Sequence, residues 1–273
     1  MHRHSAVPAC PWWCPMTNSP ARTALPSLGS PLNLRYGGAC AWQLPPDQTC
    51  ASYARSRLTT AMTALGLPTD LIDDATLAVS ELATNALLHA THPTTPTPWP
   101  ELWTWARVHP SPQLVITTFD TDRTHLPRPT TTPPAGETSL ATSGRGLGIV
   151  SAIAADWGVH PTRSRFGARP TPGKAVWCAF PLSEPWPRNC LLPPAQAAGR
   201  LHKLLTYRGV DRVLVSNAPG VSLVSLPCGL NIRVEPKSFT FNDTNGHPTR
   251  RPLLDLQDLA EHLIRRTEET TKR

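Results

Sequence analysis

Leu77-Ala-Val-Ser-Glu81-Leu-Ala-Thr-Asn85-Ala-Leu-Leu-His89-Ala90 is the stretch that decides the fold. Its pattern predicts one helix. Ala75, Val79, Leu82 and Ala86 recur at three- and four-residue steps and form an apolar stripe that can face a core. Glu81 and Asn85, four residues apart, project together from one face. The polar pair therefore need not share the buried stripe. A carboxylate beside a neutral carboxamide oxygen suits a hard cation such as magnesium, and the carboxylate can also handle a proton. The same two residues also fit a plain solvent-facing helix surface.

Working outward, the chain before this helix reads as a strand over residues 35–44. Pro45-Pro46-Asp47 breaks it and opens a helix that runs to about Leu65, stopped by Gly66. Residues 1–33 are proline-rich and aperiodic and are expected to be disordered, with Met16 a candidate start. After the Glu81/Asn85 helix a Thr/Pro loop (91–98) leads to two strands, 101–109 and 113–120, joined by a hairpin-length Pro110-Ser111-Pro112 turn. Residues 121–143 form a loop long enough to be a functional lid. Gly144-Arg-Gly146-Leu-Gly148 closes it and opens a helix to Ala155, and strands at 157–160 and 175–180 follow.

A Pro/Trp-rich linker (183–194) leads to a small α+β module over 195–273. That module reads as a helix at 195–207, four short strands and a last helix from about Leu253 to Glu269, with Leu256, Leu259, Ala260 and Leu263 on one apolar face.

Composition narrows the function. The chain has 273 residues, 40% of them hydrophobic, which is enough for two modest cores, and its 32 prolines indicate long irregular segments. No apolar run approaches the roughly 20 residues that span a bilayer, and no secretory apolar region opens the chain, so a cytoplasmic protein without membrane contact is expected. Seven cysteines are scattered. Cys10 and Cys14 lack a second pair at zinc-ligand spacing, so reduced thiols are expected, with Cys40 and Cys178 in strands. The net charge of +7 draws on a C-terminal cluster that includes Arg250, Arg251, Arg265 and Arg266. No aromatic residues interleave with that cluster as single-strand binders require, so a solvated surface is expected over nucleic-acid binding.

Three further residues or motifs carry chemistry. Asp120 closes a strand, where it either accepts a hydrogen bond from an exocyclic amine or simply shapes a turn. The Gly144–Gly148 segment either cradles phosphate at a helix N-terminus or acts as a hinge. It lacks the ending of a Walker loop, and no strand precedes it as the dinucleotide fingerprint requires. Gly173-Lys174 either brings an ammonium to a phosphate or forms a turn with a solvated lysine.

The order of these motifs resembles the GHKL (Bergerat) ATP-binding superfamily, and most closely its anti-sigma-factor serine kinase branch. ELATNALLHA is similar to that branch's asparagine box and GRGLGIV to its second glycine box. Trp157-Gly158 and Gly173-Lys174-Ala-Val-Trp177 are similar to its closing strands. The resemblance covers about residues 35–182. It implies a two-layer α/β sandwich, a mixed, mostly antiparallel sheet with helices on one face, binding ATP and magnesium over 34–182. Asn85 would hold the magnesium and Glu81 would be the general base. Asp120 would read the adenine amine. Gly144, Arg145, Gly146, Leu147 and Gly148 would meet the phosphates with Lys174, under a lid formed by 121–143.

The implied partner is a protein, either an anti-anti-sigma-like substrate or a sigma factor, and a homodimer is possible. The alternative is a non-catalytic, nucleotide-gated interaction module. A sensor histidine kinase would need a helical hairpin with a phospho-accepting histidine ahead of the domain, which residues 1–33 are too short and proline-rich to form. The family usually has glycine two residues after the adenine aspartate; here Asp122 stands there, adding bulk and negative charge.

Overall fold

The computed structural model describes residues 25–90, 99–124, 145–167, 169–183, 185–243 and 245–270. Among the described residues there are two antiparallel sheets, each with its own core. The strands of the first are β1 (Ser27–Leu28), β2 (Ala39–Gln43), β3 (Glu101–Arg107), β4 (Gln113–Asp120), β5 (Asp156–Arg163) and β6 (Pro172–Pro181), in the order β1-β2-β3-β4-β6-β5. Three helices, α1 (Cys50–Ala64), α2 (Thr69–Ala90) and α3 (Arg145–Ile153), accompany it. The expected α+β class is what is seen, with every described pairing antiparallel.

Strand alternation separates the two faces. Leu114, Ile116, Val176 and Cys178 join Ala75, Val79 and Leu82 of α2 in one core. Their strand neighbours Val115, Phe119, Ala175 and Ala179 point the other way and cluster with Trp103 and Trp105. The apolar stripe read from the sequence is therefore the buried face of α2.

The second sheet contains β7 (Leu214–Ala218), β8 (Val221–Ser225), β9 (Asn231–Val234), β10 (Ser238–Asn242) and β11 (Pro248–Pro252), in the order β11-β10-β9-β8-β7. It packs on α4 (Pro194–Tyr207) and α5 (Leu256–Thr270), with Leu259, Leu263 and Ile264 in its core.

Four expectations need correction. Residues 25–33, expected to be disordered, are ordered: β1 pairs with β2, and Pro31–Tyr36 form a 3-10 turn. The expected strand at 35–44 consequently starts later, after Gly37 reverses the chain in the left-handed region at φ 77°. Within the linker, Trp186 is buried and Arg35 stacks over its ring at 4.6 Å. β11 was missed. Proline at both ends hid it, and an edge strand tolerates them.

The fourth correction matters most for function. The first sheet is covered on both faces, since α5 lies across β3 and β5 on the side away from α1–α3. This contact is polar and buried. Glu261 pairs with Arg165 at 2.9 Å and with Arg208 at 2.5 Å, while Thr162 donates to it at 2.9 Å. Asp255 accepts the backbone N–H groups of Val108 and His109. Glu268 pairs with Arg163 and with Arg123, at 2.5 and 2.9 Å. Arg165 and Arg208 also stack on the Trp103 ring, at 4.8 and 4.7 Å.

Candidate active site

Helix α2, the end of β4, the start of β6 and the first turn of α3 meet on the helical side of the first sheet. In the β4–β6 register Asp120 stands opposite Lys174. Both side chains point toward the helices and both are buried. Lys174 Nζ lies 2.9 Å from Asp120 Oδ1 and donates to the Asp122 carbonyl at 2.7 Å. The Asp122 N–H donates to the same Asp120 Oδ1 at 2.9 Å. Asp122 Oδ1 in turn accepts from the Thr124 backbone and hydroxyl. The strand thus ends in two successive aspartate turns. The two readings of Asp120 are not exclusive, because it shapes a turn and also sits at the base of the pocket.

Burial pushes the Asp120 carboxyl up to about 6, against the lowering effect of Lys174. At neutral pH it is mainly ionised and remains an acceptor. Lys174 does not match the expectation of an ammonium reaching a phosphate. Its β6 register holds it beneath the strand ends, engaged with Asp120 and Asp122. Gly173 makes this approach possible: a Cβ there would stand 2.3 Å from the Asp120 carbonyl oxygen and 2.4 Å from the Phe119 ring.

Glu81 leans on the first turn of α3. A Cβ on Gly146 would be 2.4 Å from Glu81 Oε2. Two turns along α2, His89 Nδ1 lies 3.7 Å from Asp122 Oδ2. Asn85 shares this face of α2 and is half-buried between those two contacts. The sequence-read pair therefore lines the space between the α3 N-terminus and the end of β4.

The glycine box divides. Gly144 lies outside the described residues, and Arg145 opens α3. Leu147 packs its side chain on the core, so only its backbone can meet a ligand. Gly148 is exposed, and a Cβ there would meet nothing within 4 Å. Of residues 121–143, only 121–124 are described.

Magnesium fits this set in one way. Among the described residues no three His, Cys, Asp or Glu side chains cluster to cage a metal. Asn85 offers a single neutral oxygen. Magnesium commonly keeps its waters and completes its shell with substrate phosphates, so Asn85 would hold it through a nucleotide.

Sequence reasoning missed the acidic line along α5. Glu261 and Glu268 are seven residues apart, hence on one face, and both are buried. That spacing was the only local sign, and it reads equally well as a solvated face.

Residues 44–165 match the family model of the histidine kinase-like ATPase domain. The match supports the resemblance at the level of the GHKL superfamily and with it an ATP-binding domain of regulatory type. No curated protein matches the chain. Among the described residues no helix is long and apolar enough to cross a membrane.

Proposed function

We propose that this protein binds ATP with magnesium between α2, α3 and the end of β4, and uses it to regulate a partner protein in the manner of the anti-sigma serine/threonine kinases. The observation that carries this reading is the single face of α2. Glu81 on that face meets Gly146, His89 meets Asp122, and Asn85 stands between them. In the proposed complex the adenine amine donates to Asp120. The phosphates lie at the first turn of α3, where backbone N–H groups and the helix dipole favour anions. Glu81 would take the proton from a serine or threonine hydroxyl of the partner while that oxygen bonds the γ-phosphorus of ATP, the bond from this phosphorus to the bridging oxygen breaks, and ADP leaves. Positioning and charge stabilisation dominate such a transfer.

A second reading is favoured by one specific contact. Lys174 already occupies Asp120 Oδ1, and the Asp122 side chain is buried beside it. This crowding at the base end suits a non-catalytic module whose nucleotide state gates partner capture. Labelled ATP with candidate partners separates the two readings. Phosphate transfer that is lost in Glu81→Gln while ATP binding persists supports the kinase, whereas partner capture without any transfer supports the gated module.

A further inference from the structure

A second site lies on the opposite face of the first sheet. A cleft of about 140 Å³ opens between that face and α5 with β11. Three buried nitrogens without a hydrogen-bond partner belong to residues lining it, Trp105 Nε1, Arg251 Nε and His262 Nε2, while His160 Nε2, also in the lining, stands 3.8 Å from the Glu261 carboxylate. An indole or guanidinium N–H can only donate. Leaving such a group buried and unsatisfied costs about 1–3 kcal/mol, and native proteins do so rarely. Here two such donors and the His262 imidazole belong to side chains that line one cleft. Trp105 itself is only 2% exposed.

The charge of the cleft points the same way. Arg107, Arg251 and Arg265 line it. Its two carboxylates are committed: Asp258 to Arg251 and Arg107, at 2.5 and 3.9 Å, and Glu261 to Arg165 and Arg208 outside the lining and to His160 within it; Arg107 also meets Asp156 at 3.4 Å and Arg265 meets Glu269 at 2.8 Å, both on the exposed side. Burial, reinforced by Arg251 and Arg266, lowers His262 to about 4.

We propose that this cleft binds a small oxyanion, a carboxylate or a phosphate, accepting from the Trp105 indole N–H and the Arg251 guanidinium, with Arg107 and Arg265 supplying charge. One water needs roughly 10–15 Å³ of such volume, so the cleft holds an anion of a few heavy atoms with its waters. Trp105 and Trp177 also line it, and Arg107 stacks on the Trp177 ring at 5.3 Å. Such a ligand touches both units at once and favours their docked arrangement.

Calorimetry on the full chain tests this with sodium phosphate and sodium benzoate, at ionic strength fixed by sodium chloride. Binding of one or both is expected. The arm that binds identifies the source of the oxyanion. Trp105→Phe keeps a ring and removes the donor, and it should weaken binding about tenfold, the worth of ~1.4 kcal/mol. Arg265→Ala, on the exposed rim, should weaken it without disturbing the fold and serves if Trp105→Phe fails to fold. No binding of either anion beyond chloride overturns the site, as does binding that both variants leave unchanged.

Discussion

Lys174 and Asp120 form the residue-scale centre of the pocket. Lys174→Met would leave the Asp120 carboxylate buried without its cation, and breaking a buried pair in this way costs about 3–5 kcal/mol. Denaturant unfolding at pH 8 should show a loss of that order. The loss should shrink at pH 5, where Asp120, already raised to about 6 with its partner present, is protonated. A loss that does not change with pH would separate the effect from Asp120 ionisation. Glu101 gives a second pH signature. Burial raises it to about 7 despite bonds from Trp103 and the Arg165 backbone. A raised carboxyl stabilises the fold fully below its unfolded value of 4.5, and that contribution is lost as pH rises toward 7. The stability difference between wild type and Glu101→Gln should therefore fall by about 3 kcal/mol across that window. A flat difference would mean that Glu101 stays ionised throughout.

At the scale of elements, two glycines make opposite predictions. Gly173→Ala in β6 forces a Cβ onto the Asp120 carbonyl and the Phe119 ring, and overpacking of this kind costs about 1–3 kcal/mol. Gly148→Ala in α3 meets open space and gains up to about 1 kcal/mol of helix propensity. Thermal unfolding of the two variants should move in opposite directions. If Gly148→Ala raises the melting temperature yet weakens ATP binding, the glycine serves the ligand and not the fold.

The same elements show what could be read from sequence. Helix α2 and strands β3, β4 and β6 were legible because their apolar periods are local. Glu81 and Asn85 were legible because four residues fix a shared face. The Asp120–Lys174 pair was not, because it depends on the β4–β6 register, which no local pattern specifies. The 3-10 turn at Pro31–Tyr36 and β11 escaped for a different reason: proline-rich stretches read as irregular whether or not they pair.

On the scale of the whole molecule, the C-terminal unit is tied to the pocket. Asp255, Glu261 and Glu268 anchor it to the β3–β4 turn, to the strand ends and to Arg123. Asp122 faces α2 while the next residue, Arg123, faces α5. Glu261 is the strongest anchor. Burial pushes its carboxyl up, but Arg208, His160 and Arg165 hold it well below the usual carboxylate range. Glu261→Ala strands two buried guanidiniums and should cost about 3–5 kcal/mol, measured by denaturant unfolding. A chain ending at residue 182 would uncover Trp103, Trp105 and Phe119, which the full chain buries. It should self-associate in sedimentation, because contiguous exposed apolar surface drives association.

The central claim is that the α2 face forms a magnesium–ATP pocket. Isothermal titration of the full chain with ATP and magnesium, wild type against Asn85→Ala, tests it most directly. The account predicts saturable binding to wild type that Asn85→Ala abolishes while both proteins unfold at the same temperature. Absence of binding to wild type, or equal binding to both, would contradict it.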